Sequence, residues 1–490
     1  MRAVIIGGGA AGCFTSLLLA RAGHRVTLLE RDRLAVHPDV ETAAAHAFRP
    51  TAPQIVQPHM IMARCRELLA QRLPDVYQGL LEAGVQEAPL RTQMPPSLPD
   101  KAPRPGDERL TQLLTRRSTF DWVLMRSVAA EPGVDFRRGV KVTGLTARPA
   151  SGHGPAQVTG VRSDAGDVGA DLVIDATGRR SAIDTWLTGL GTRETTMDQA
   201  ECGLAYYSRH YRLRPGAVPP GSSSQRMVAT LDDLLVGIWP GDNGTMQVAI
   251  APFATDERFR GVRDPDVFSR VVRTVPDFAR WLDVLEPVTD VFPMGGLHNT
   301  LRRLVIDGEP VVTGLHAVGD TVCTTNPTLA RGLTLAVIGA AGLADTLAEH
   351  PGDLAGQALA MDNLTAARIQ PFYAEQAAID EVRLRHMRRV ILAEAEPEAV
   401  PSDTGPTTTG STTTGPANTG SIGYWQVRAA APFDPVVFRA FWKVMGMIAV
   451  PGEAYADPEV IARTREVLGS KQAAPATDRP SRAQVLAALA

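Results

Sequence analysis

A glycine-rich turn near the N-terminus constrains what this chain can fold into more than any other feature. A short apolar run leads into Gly7, Gly9 and Gly12, which have the spacing G-x-G-x-x-G, and a second apolar run ends at Glu30. The first glycine permits a tight turn, the second lets a ligand approach the backbone, and the third lets helix and strand pack closely. The helix N-terminus offers free N–H groups to phosphates, and Glu30 is placed to accept hydrogen bonds from a ribose. The unit predicts a β-α-β fold that binds a dinucleotide.

The same stretch has an alternative interpretation, because residues 3–20 are almost uncharged and follow a single arginine. A signal peptide or membrane span would have this composition. Four glycines in six residues would pack poorly in such a helix, however, and no A-x-A-like cleavage site follows. No other run approaches the ~20 apolar residues that a span requires. The sequence therefore predicts a soluble, cytoplasmic chain without a membrane span.

Composition excludes several classes of function. A chain of 490 residues exceeds what a single core supports, so we expect two intimate domains with appendages. The net charge of −3 and 21% charged residues leave no basic footprint for nucleic acid. All but four of the 50 basic residues are arginines, so few lysines are available as catalytic amines. The four cysteines lie far apart without a C-x-x-C pair, which argues against a disulfide framework and against a metal site.

The middle of the chain changes its pattern. Alternating apolar residues over 204–212, 234–239 and 246–250 predict antiparallel strands within a β-rich insertion. Nucleotide-domain character returns at Ala317-Val-Gly-Asp320, and a helix is expected from Gly332 to Ala348.

The C-terminal third has three parts. Residues 362–396 have helical spacing, with Arg383, Arg385, Arg388 and Arg389 predicted on the solvated side. Residues 402–421 are a Thr/Gly/Pro-rich tract of low complexity, which predicts a flexible linker. The last block carries a stripe of large apolar side chains at helical spacing, predicted to be core: Phe438, Phe441, Trp442 and Met445.

Three motifs separated by hundreds of residues together resemble a known family. They are the glycine turn with Glu30, Asp171-Leu-Val-Ile-Asp-Ala-Thr-Gly178, and Ala317-Val-Gly-Asp-Thr-Val-Cys-Thr-Thr-Asn-Pro327. This set resembles the FAD-dependent monooxygenases of the para-hydroxybenzoate hydroxylase and polyprenyl-phenol hydroxylase group. The resemblance implies that the first motif holds the ADP portion of FAD and that Gly319-Asp320 contacts the ribityl chain and pyrophosphate. It also implies that the loop from Asn326 to Gly332 borders the flavin ring.

Weaker matches extend the resemblance to roughly residues 1–395. Residues 57–60 and the helix after them match a segment that follows the first unit, and residues 116–122 resemble the arginine-bearing helix start beside FAD. Residues 136–142 resemble the strand whose backbone meets adenine. The resemblance assigns contacts with FAD to Gly7, Gly9, Ala10, Ala11, Gly12, Glu30, Arg31, Arg117, Val142, Ala176, Gly178, Gly319, Asp320, Pro327, Gly332 and Leu333.

The implied fold class is α/β, with a Rossmann-like FAD-binding domain, an inserted antiparallel β-sheet substrate domain and a C-terminal helical segment. We expect six segments: the first part of the FAD-binding domain with smaller insertions (1–184), the β-rich substrate domain (185–305), the return of the FAD-binding domain (306–350), a helical segment (351–400), a flexible linker (401–422) and a C-terminal helical tail (423–490).

Two positions depart from the family's pattern. The flavin loop ends Leu329-Ala330-Arg331-Gly332, so Ala330 replaces a glycine and Arg331 adds a charge that could lie near the flavin. The Asp-Gly motif of NADPH-using members is present only as Asp175-Ala-Thr-Gly178. Direct use of NADPH or NADH and supply of electrons by a separate flavin reductase both stay open.

The family's chemistry is carried by the cofactor, so no side chain is assigned a catalytic role. The resemblance implies that reduced flavin takes up dioxygen and that the resulting hydroperoxide gives one oxygen atom to the substrate. The substrate is expected against residues 203–253 and 292–299, where few charges predict an apolar or aromatic molecule. Four side chains there and nearby are candidate substrate contacts, although an ordinary structural role suits each as well: His59, His210, Trp239 and His298.

Other reactions use the same fold. A flavin halogenase would need a lysine near a halide tunnel and a Trp-x-Trp-x-Ile-Pro segment. The sequence contains neither a candidate for this lysine nor this segment. A flavin reductase that saturates isoprenoid-type double bonds shares the Asp-Ala-Thr-Gly run, and a non-catalytic flavoprotein is a further alternative. Among oxygenases, the sequence does not separate hydroxylation from epoxidation.

Overall fold

The structure is a computed structural model that describes residues 1–149, 154–231, 234–392, 422–470 and 479–490. The predicted linker 401–422 lies, apart from Ile422, outside the described residues.

The strands of the described residues are, in chain order, β1 (Arg2–Ile6), β2 (Arg25–Glu30), β3 (Met60–Ile61), β4 (Gln86–Ala88), β5 (Gln112–Leu114), β6 (Val134–Arg138), β7 (Val142–Arg148), β8 (Gln157–Ser163), β9 (Val168–Gly169), β10 (Leu172–Asp175), β11 (Thr196–Glu201), β12 (Tyr206–Leu213), β13 (Met227–Thr230), β14 (Leu234–Pro240), β15 (Thr245–Pro252), β16 (Leu285–Pro287), β17 (Phe292–Met294), β18 (His298–Arg303), β19 (Val305–Ile306), β20 (Glu309–Pro310), β21 (Leu315–Ala317) and β22 (Cys323–Thr324).

The α-helices are α1 (Ala10–Arg21), α2 (Val40–Ala45), α3 (Ala63–Arg72), α4 (Pro74–Glu82), α5 (Arg117–Ala130), α6 (Ile183–Gly189), α7 (Pro265–Arg273), α8 (Pro276–Val284), α9 (Gly332–Glu349), α10 (Leu354–Leu364), α11 (Gln370–Leu392), α12 (Tyr424–Ala430), α13 (Pro435–Met445), α14 (Pro451–Ala454), α15 (Pro458–Gly469) and α16 (Arg482–Ala487). A π-helical turn, Thr365–Ile369, joins α10 to α11.

A parallel sheet forms the centre of the nucleotide-binding part. Its order is β21-β10-β1-β2-β6, so strands from both ends of the first 317 residues meet in one layer. Ile6 pairs with Asp175, and Asp175 pairs with Ala317, which brings the ends of three motif-bearing strands side by side. The carboxyl ends of parallel strands are where open α/β folds bind ligands. The predicted Rossmann-like α/β class is confirmed.

The insertion is an antiparallel sheet with a helical cover. The sheet has the order β13-β14-β15-β12-β16, and β17 also pairs with β12. On its outer face Tyr207 and Tyr211 pack against the apolar stripes of α7 and α8, which include Phe268, Val271 and Trp281. The three predicted antiparallel strands are confirmed.

The β-rich insertion also contains two helices that were not predicted, α7 and α8. Asp264 caps α7 with its carboxylate and Pro265 starts it. The helix expected after residues 57–60 is α3, which begins only at Ala63 because residues 60–61 pair as strand β3.

The C-terminal helices close a second core. Phe438, Phe441, Trp442 and Met445 are buried there with Leu329 from the predicted flavin loop, so the predicted core stripe is confirmed. Helix α9 is the one described helix that is long and apolar enough to span a membrane, and 67% of its apolar window is buried inside the structure.

Helix α11 lies between this core and the insertion. Arg385 and Arg388 are exposed as expected, but Arg383 turns inward and pairs with the buried carboxylate of Asp380 at 2.6 Å. The predicted solvated face is therefore wrong for Arg383.

Candidate cofactor site and the sheet that faces it

The glycine turn is built by close backbone approaches. Gly7 has φ +106°, and a Cβ there would lie 2.6 Å from the carbonyl oxygen of Ala176. A Cβ on Gly12 would overlap the carbonyl oxygen of Gly7. Side chains are therefore excluded at Gly7 and Gly12 by the protein itself, and the turn needs no ligand to explain these two glycines.

Gly9 is different, because a Cβ there would meet no protein atom within 4 Å. It is the N-cap of α1, and α1 has neither a side-chain cap nor an acidic residue in its first turn. The backbone N–H groups of the first turn of α1, at Ala10 and Ala11, therefore face open space, and the positive end of the helix dipole lies behind them. This combination fits a pyrophosphate.

Glu30 is fixed next to this turn. Its Oε2 accepts the Gly8 N–H at 2.7 Å and its Oε1 accepts the Asp32 N–H at 2.8 Å, while Arg49 Nη2 lies 3.3 Å from Oε1. A carboxylate offers about four acceptor directions, so ribose hydroxyls can still be accepted. The exposed Arg31 follows directly.

The strand predicted to meet adenine runs past the end of β2. The Val140 N–H donates to the Glu30 carbonyl at 2.9 Å. Val142, two residues further, starts β7 and packs against the core that includes Ile6 and Leu29. The predicted adenine contact and the ribose acceptor are thus neighbours.

The second and third motifs join the first. Gly319 approaches α1 so closely that a Cβ there would lie 2.8 Å from the Cβ of Ala11. The Gly178 N–H donates to Thr321 Oγ1 at 2.9 Å, and Ala176 packs against Gly7. All three motifs therefore border one cradle.

Asp320 carries a carboxylate that no described residue hydrogen-bonds. Burial raises the pKa of Asp320, and the charges of Arg117 and Arg179 lower it less strongly. A Cβ on Gly332 would lie 3.9 Å from Asp320 Oδ1, so the start of α9, with Leu333 in its first turn, borders the same space. Asp320 is half-buried, and a desolvated acid without a partner is costly unless a ligand donates to it, as ribityl hydroxyls would.

Two arginines supply positive charge near Asp320. Arg117, at the start of α5, is 9% exposed and donates from Nε to Asp121 Oδ1 at 2.6 Å. Burial lowers the pKa of Arg179, and Arg179 donates to the Gly296 carbonyl at 3.3 Å. The sequence analysis missed Arg179, although it directly follows Gly178 in the second motif.

The predicted flavin loop, residues 326–332, is tied down from two sides. Asn326 accepts a hydrogen bond from Tyr206 Oη on the inserted sheet, and its own N–H donates to Asn299 Oδ1 at 2.7 Å. Asn326 Nδ2 donates to Asp380 Oδ1 at 3.0 Å. The loop thus connects the inserted sheet to helix α11, and Pro327 opens its short 3₁₀ turn.

The two departures in this loop have separate explanations. Ala330 occupies the left-handed region at φ +54°, which explains why a glycine is common there. Arg331 is fully buried, pairs with Glu375, donates to the Phe372 carbonyl at 3.1 Å and stacks on the Phe372 ring. The charge of Arg331 is therefore neutralised within the C-terminal helices.

The inserted sheet presents an inner face to the nucleotide-binding part, defined by Tyr206, Ser208, His210, Trp239 and Gln247. These positions share one side because they alternate along their strands and pair as His210 with Gln247 and Gln247 with Trp239. Ser208 Oγ donates to Gln57, and Gln247 exchanges hydrogen bonds with the His59 backbone. The inner face is thus fastened to the segment that carries His59.

Both histidines here are held neutral. Burial lowers the pKa of His59 to about 3 and that of His210 to about 4. His59 Nδ1 contacts the Gln57 carbonyl at 2.9 Å, whereas His210 Nε2 has no partner among the described residues. His210 lines a cavity of about 450 Å³ beside the stacked rings of Phe48 and Phe292.

The other two substrate candidates lie in different surroundings. Trp239 packs against a cluster that includes Met60 and Met62, and Ala330 of the predicted flavin loop packs against the same cluster. His298 is exposed at the start of β18, and the following residue turns inward instead. The structure thus brings together His59, His210 and Trp239 but not His298.

Comparisons with known proteins agree with this geometry. Residues 2–92 match the FAD dependent oxidoreductase family. Protein Rv3254 of Mycobacterium tuberculosis (strain ATCC 25618 / H37Rv) is 26% identical over 426 residues, which cover 81% of this chain and 82% of that protein.

Solved structures share the fold at low identity. The flavin-dependent brominase Bmp2 has a TM-score of 0.60 and 16% identity, covering 96% of this chain and 100% of its own. PqsL of Pseudomonas aeruginosa in complex with 2-aminobenzoylacetate has a TM-score of 0.57 and 15% identity, covering 79% and 98%. The p-nitrophenol 4-monooxygenase PnpA of Pseudomonas putida DLL-E4 has a TM-score of 0.53 and 16% identity, covering 96% and 97%. Residues 2–92 thus match an FAD-dependent oxidoreductase family, and the chain has the fold of flavin-dependent monooxygenases and halogenases.

Proposed function

We propose that this protein is an FAD-dependent monooxygenase that inserts one oxygen atom into an apolar or aromatic small molecule, by hydroxylation or epoxidation. The observation that carries the proposal is the meeting of three distant motifs in one cradle, where Asp320 lacks a partner and Gly9 faces open space. FAD is long enough to use all of these positions at once, whereas a nicotinamide dinucleotide does not require Gly319-Asp320.

The residues present fit FAD along its length. Glu30 and Val142 would hold the adenosine end, and the start of α1 beside Gly9 would hold the pyrophosphate. Asp320 would accept ribityl hydroxyls, with Arg117 balancing its charge. When bound, FAD supplies two-electron redox chemistry and the activation of dioxygen.

The chain's own contribution is to position the substrate and exclude water. His59 and His210 are neutral near pH 7, and Trp239 adds a large apolar surface next to Ala330. A neutral, largely apolar face beside the flavin loop suits an apolar or aromatic molecule. The binding of 2-aminobenzoylacetate by PqsL, which shares the fold, supports a small aromatic substrate.

Two alternatives have distinct requirements. Halogenases share this fold, but the described lysines, Lys101, Lys141 and Lys443, are all exposed, and a halogenase needs an enclosed one. A flavin reductase of isoprenoid-type double bonds would work without oxygen. Monooxygenation is therefore preferred over halogenation, and dependence on oxygen separates it from the reductase.

The test uses the purified, FAD-loaded protein with ¹⁸O₂ and a panel of planar phenols, aromatic acids and conjugated alkenes. NADPH, NADH and a separate flavin reductase are each supplied as electron source. One ¹⁸O atom per product molecule is expected. Alkene saturation under argon would contradict the proposal, and so would bromide or chloride incorporation in place of oxygen.

A further inference from the structure

Arg226 lies at the edge of the inner face. Strand β13 begins one residue later, where Met227 pairs with Ile238, so Arg226 stands opposite Trp239. Residues paired across antiparallel strands point to the same side of the sheet. Arg226 therefore faces the side on which Trp239 packs. Trp239 and Ala330 of the predicted flavin loop pack against the same buried cluster, which consists of Met60, Met62, Ala88 and Leu114.

The C-terminal helices cover the same side. The guanidinium of Arg226 lies over the Trp442 ring, with Cζ 5.1 Å from the ring centroid. Arg428 of α12 donates to Thr230 Oγ1 at 3.3 Å, and Thr230 pairs with Leu235 on the same face. Arg226 is thus enclosed between the inserted sheet and α13.

Among the described residues, no acid neutralises this enclosed guanidinium. None of the described residues forms a hydrogen bond or ion pair with Arg226. Burial lowers its pKa, and the neighbouring positive charge of Arg428 lowers it further, while Tyr424 opposes. The stack on Trp442 offsets part of the cost, but it leaves the N–H donors in the guanidinium plane without acceptors.

Other buried arginines of the described residues do have carboxylate partners. They are Arg116 with Asp242, Arg117 with Asp121, Arg302 with Asp184, Arg331 with Glu375 and Arg439 with Asp107. Among the described arginines with a resolved shift, the pKa falls below its usual value, because of burial, only at Arg179 and Arg226; elsewhere carboxylate partners outweigh burial. Arg179 borders the cofactor cradle beside Asp320. By the same criterion, Arg226 is the second described arginine whose charge a bound anion would stabilise.

The surface beside Arg226 is flat and aromatic. The Trp239 indole lies back along its own strand, and a Cβ on Gly237 would overlap its Cη2. The missing side chain at Gly237 lets the ring lie on the sheet. Arg226 is half-buried, so a ligand can still reach part of its surface.

We propose that Arg226 binds a carboxylate of the substrate, whose planar apolar body lies along Trp239. The planar guanidinium can donate two parallel hydrogen bonds to a carboxylate. The inference rests on the proposed function, because it assigns the substrate class of that site: a flat, apolar or aromatic carboxylic acid. The ion pair with Arg226 holds the carboxylate end of the substrate, so the apolar body of the substrate extends toward the flavin loop.

The test measures binding of two matched probes, 2-naphthoate and 2-naphthamide, to the FAD-loaded protein by calorimetry. The wild type is expected to bind naphthoate about tenfold or more tightly than naphthamide, and Arg226→Gln is expected to lose this preference. Arg226→Lys should keep part of it, because it keeps the charge without the planar fork. The matched control, Arg428→Gln, removes a neighbouring charge and should keep most of the preference.

Several outcomes would overturn the inference. They are equal binding of both probes by the wild type, no binding of naphthoate, an unchanged preference in Arg226→Gln, or an equal loss in Arg428→Gln. The wild-type comparison needs no variant, so it holds even if Arg226→Gln folds poorly. FAD content and ¹⁸O incorporation are measured separately, so failure of the proposed function is distinguishable from failure of the anion site.

Discussion

The cofactor cradle and the inner face of the inserted sheet are built by different parts of the chain. In the cradle, backbone meets backbone: a Cβ on Gly12 would overlap Gly7, and one on Gly319 would lie 2.8 Å from Ala11. On the inner face, side chains meet side chains, as where Trp239 packs on the cluster that includes Met60 and Met62. Backbone approaches tolerate one residue type, whereas side-chain packing tolerates many. The residues that form the cofactor cradle are therefore strictly constrained in type, whereas the residues that face the substrate are only loosely constrained.

The largest effect is expected where the two regions are joined. Arg116 precedes α5, is 3% exposed, and pairs with the buried Asp242 of the insertion at 2.6 Å and with Glu41 at 2.7 Å. Arg116→Met leaves Asp242 buried without its cation, so the free energy of unfolding should fall by about 3–5 kcal/mol. Denaturant unfolding measures this. Arg280→Met, which breaks an exposed pair, should cost at most about 1 kcal/mol. Similar costs for the two variants would contradict the role of the Arg116–Asp242 pair in joining the two regions.

The next test separates glycines that the protein requires from one that the ligand requires. Gly12→Ala should lower the stability of the apoprotein by about 1–3 kcal/mol and abolish FAD retention, because the new Cβ overlaps Gly7. Gly9→Ala should change apoprotein stability by less than about 1 kcal/mol but still weaken FAD binding. Thermal unfolding with and without FAD distinguishes them. Unchanged FAD affinity in Gly9→Ala would show that the open space is not the phosphate site.

The inner face should reveal its neutral histidines by pH. An unfolded histidine gains a proton below about pH 6.5, whereas folded His210 does so only near its pKa of about 4. The stability that neutral His210 contributes is therefore lost as pH falls. The free energy of unfolding of the wild type exceeds that of His210→Gln by an amount that should fall by roughly 2 kcal/mol as the pH is lowered from 6.5 to 5. A difference independent of pH would mean that His210 is not buried as described.

The smallest effect is expected on the sheet itself. Gly237→Ala forces the Trp239 indole to move, which should cost less than about 1 kcal/mol of stability because a side-chain end can shift. FAD content should stay at the wild-type level, while binding of 2-naphthoate weakens several-fold. Loss of FAD in this variant would contradict the separation between cradle and sheet face.

The same contrast explains what the sequence could predict. The β-α-β unit, Glu30 and Gly319-Asp320 were predictable, since each follows from a local backbone requirement with fixed spacing. Arg179 and Arg226 were not, because their importance depends on which charges the fold leaves unpaired around them. No local pattern carries that information.

Missed elements had weaker local cues. Asp264 before Pro265 is a typical helix start and indicates helix α7. The alternating patterns on either side of it favour strands, and the sequence therefore predicts a β-rich insertion. His298 was chosen as a substrate contact by its type, although strand alternation turns its neighbour Asn299 inward. Asn299 then bonds Asn326 and Asp380, which only the packed structure brings together.

FAD titration of the apoprotein tests the central claim most directly. The wild type should bind one FAD per chain and gain thermal stability from it, and Asp320→Ala should weaken binding about tenfold or more by removing the acceptor for ribityl hydroxyls. Asp277→Ala removes an exposed acid that pairs with Arg280 and should bind FAD as the wild type does. A wild-type protein that stays colourless and gains no stability from FAD would contradict the account, as would equal losses in the two variants.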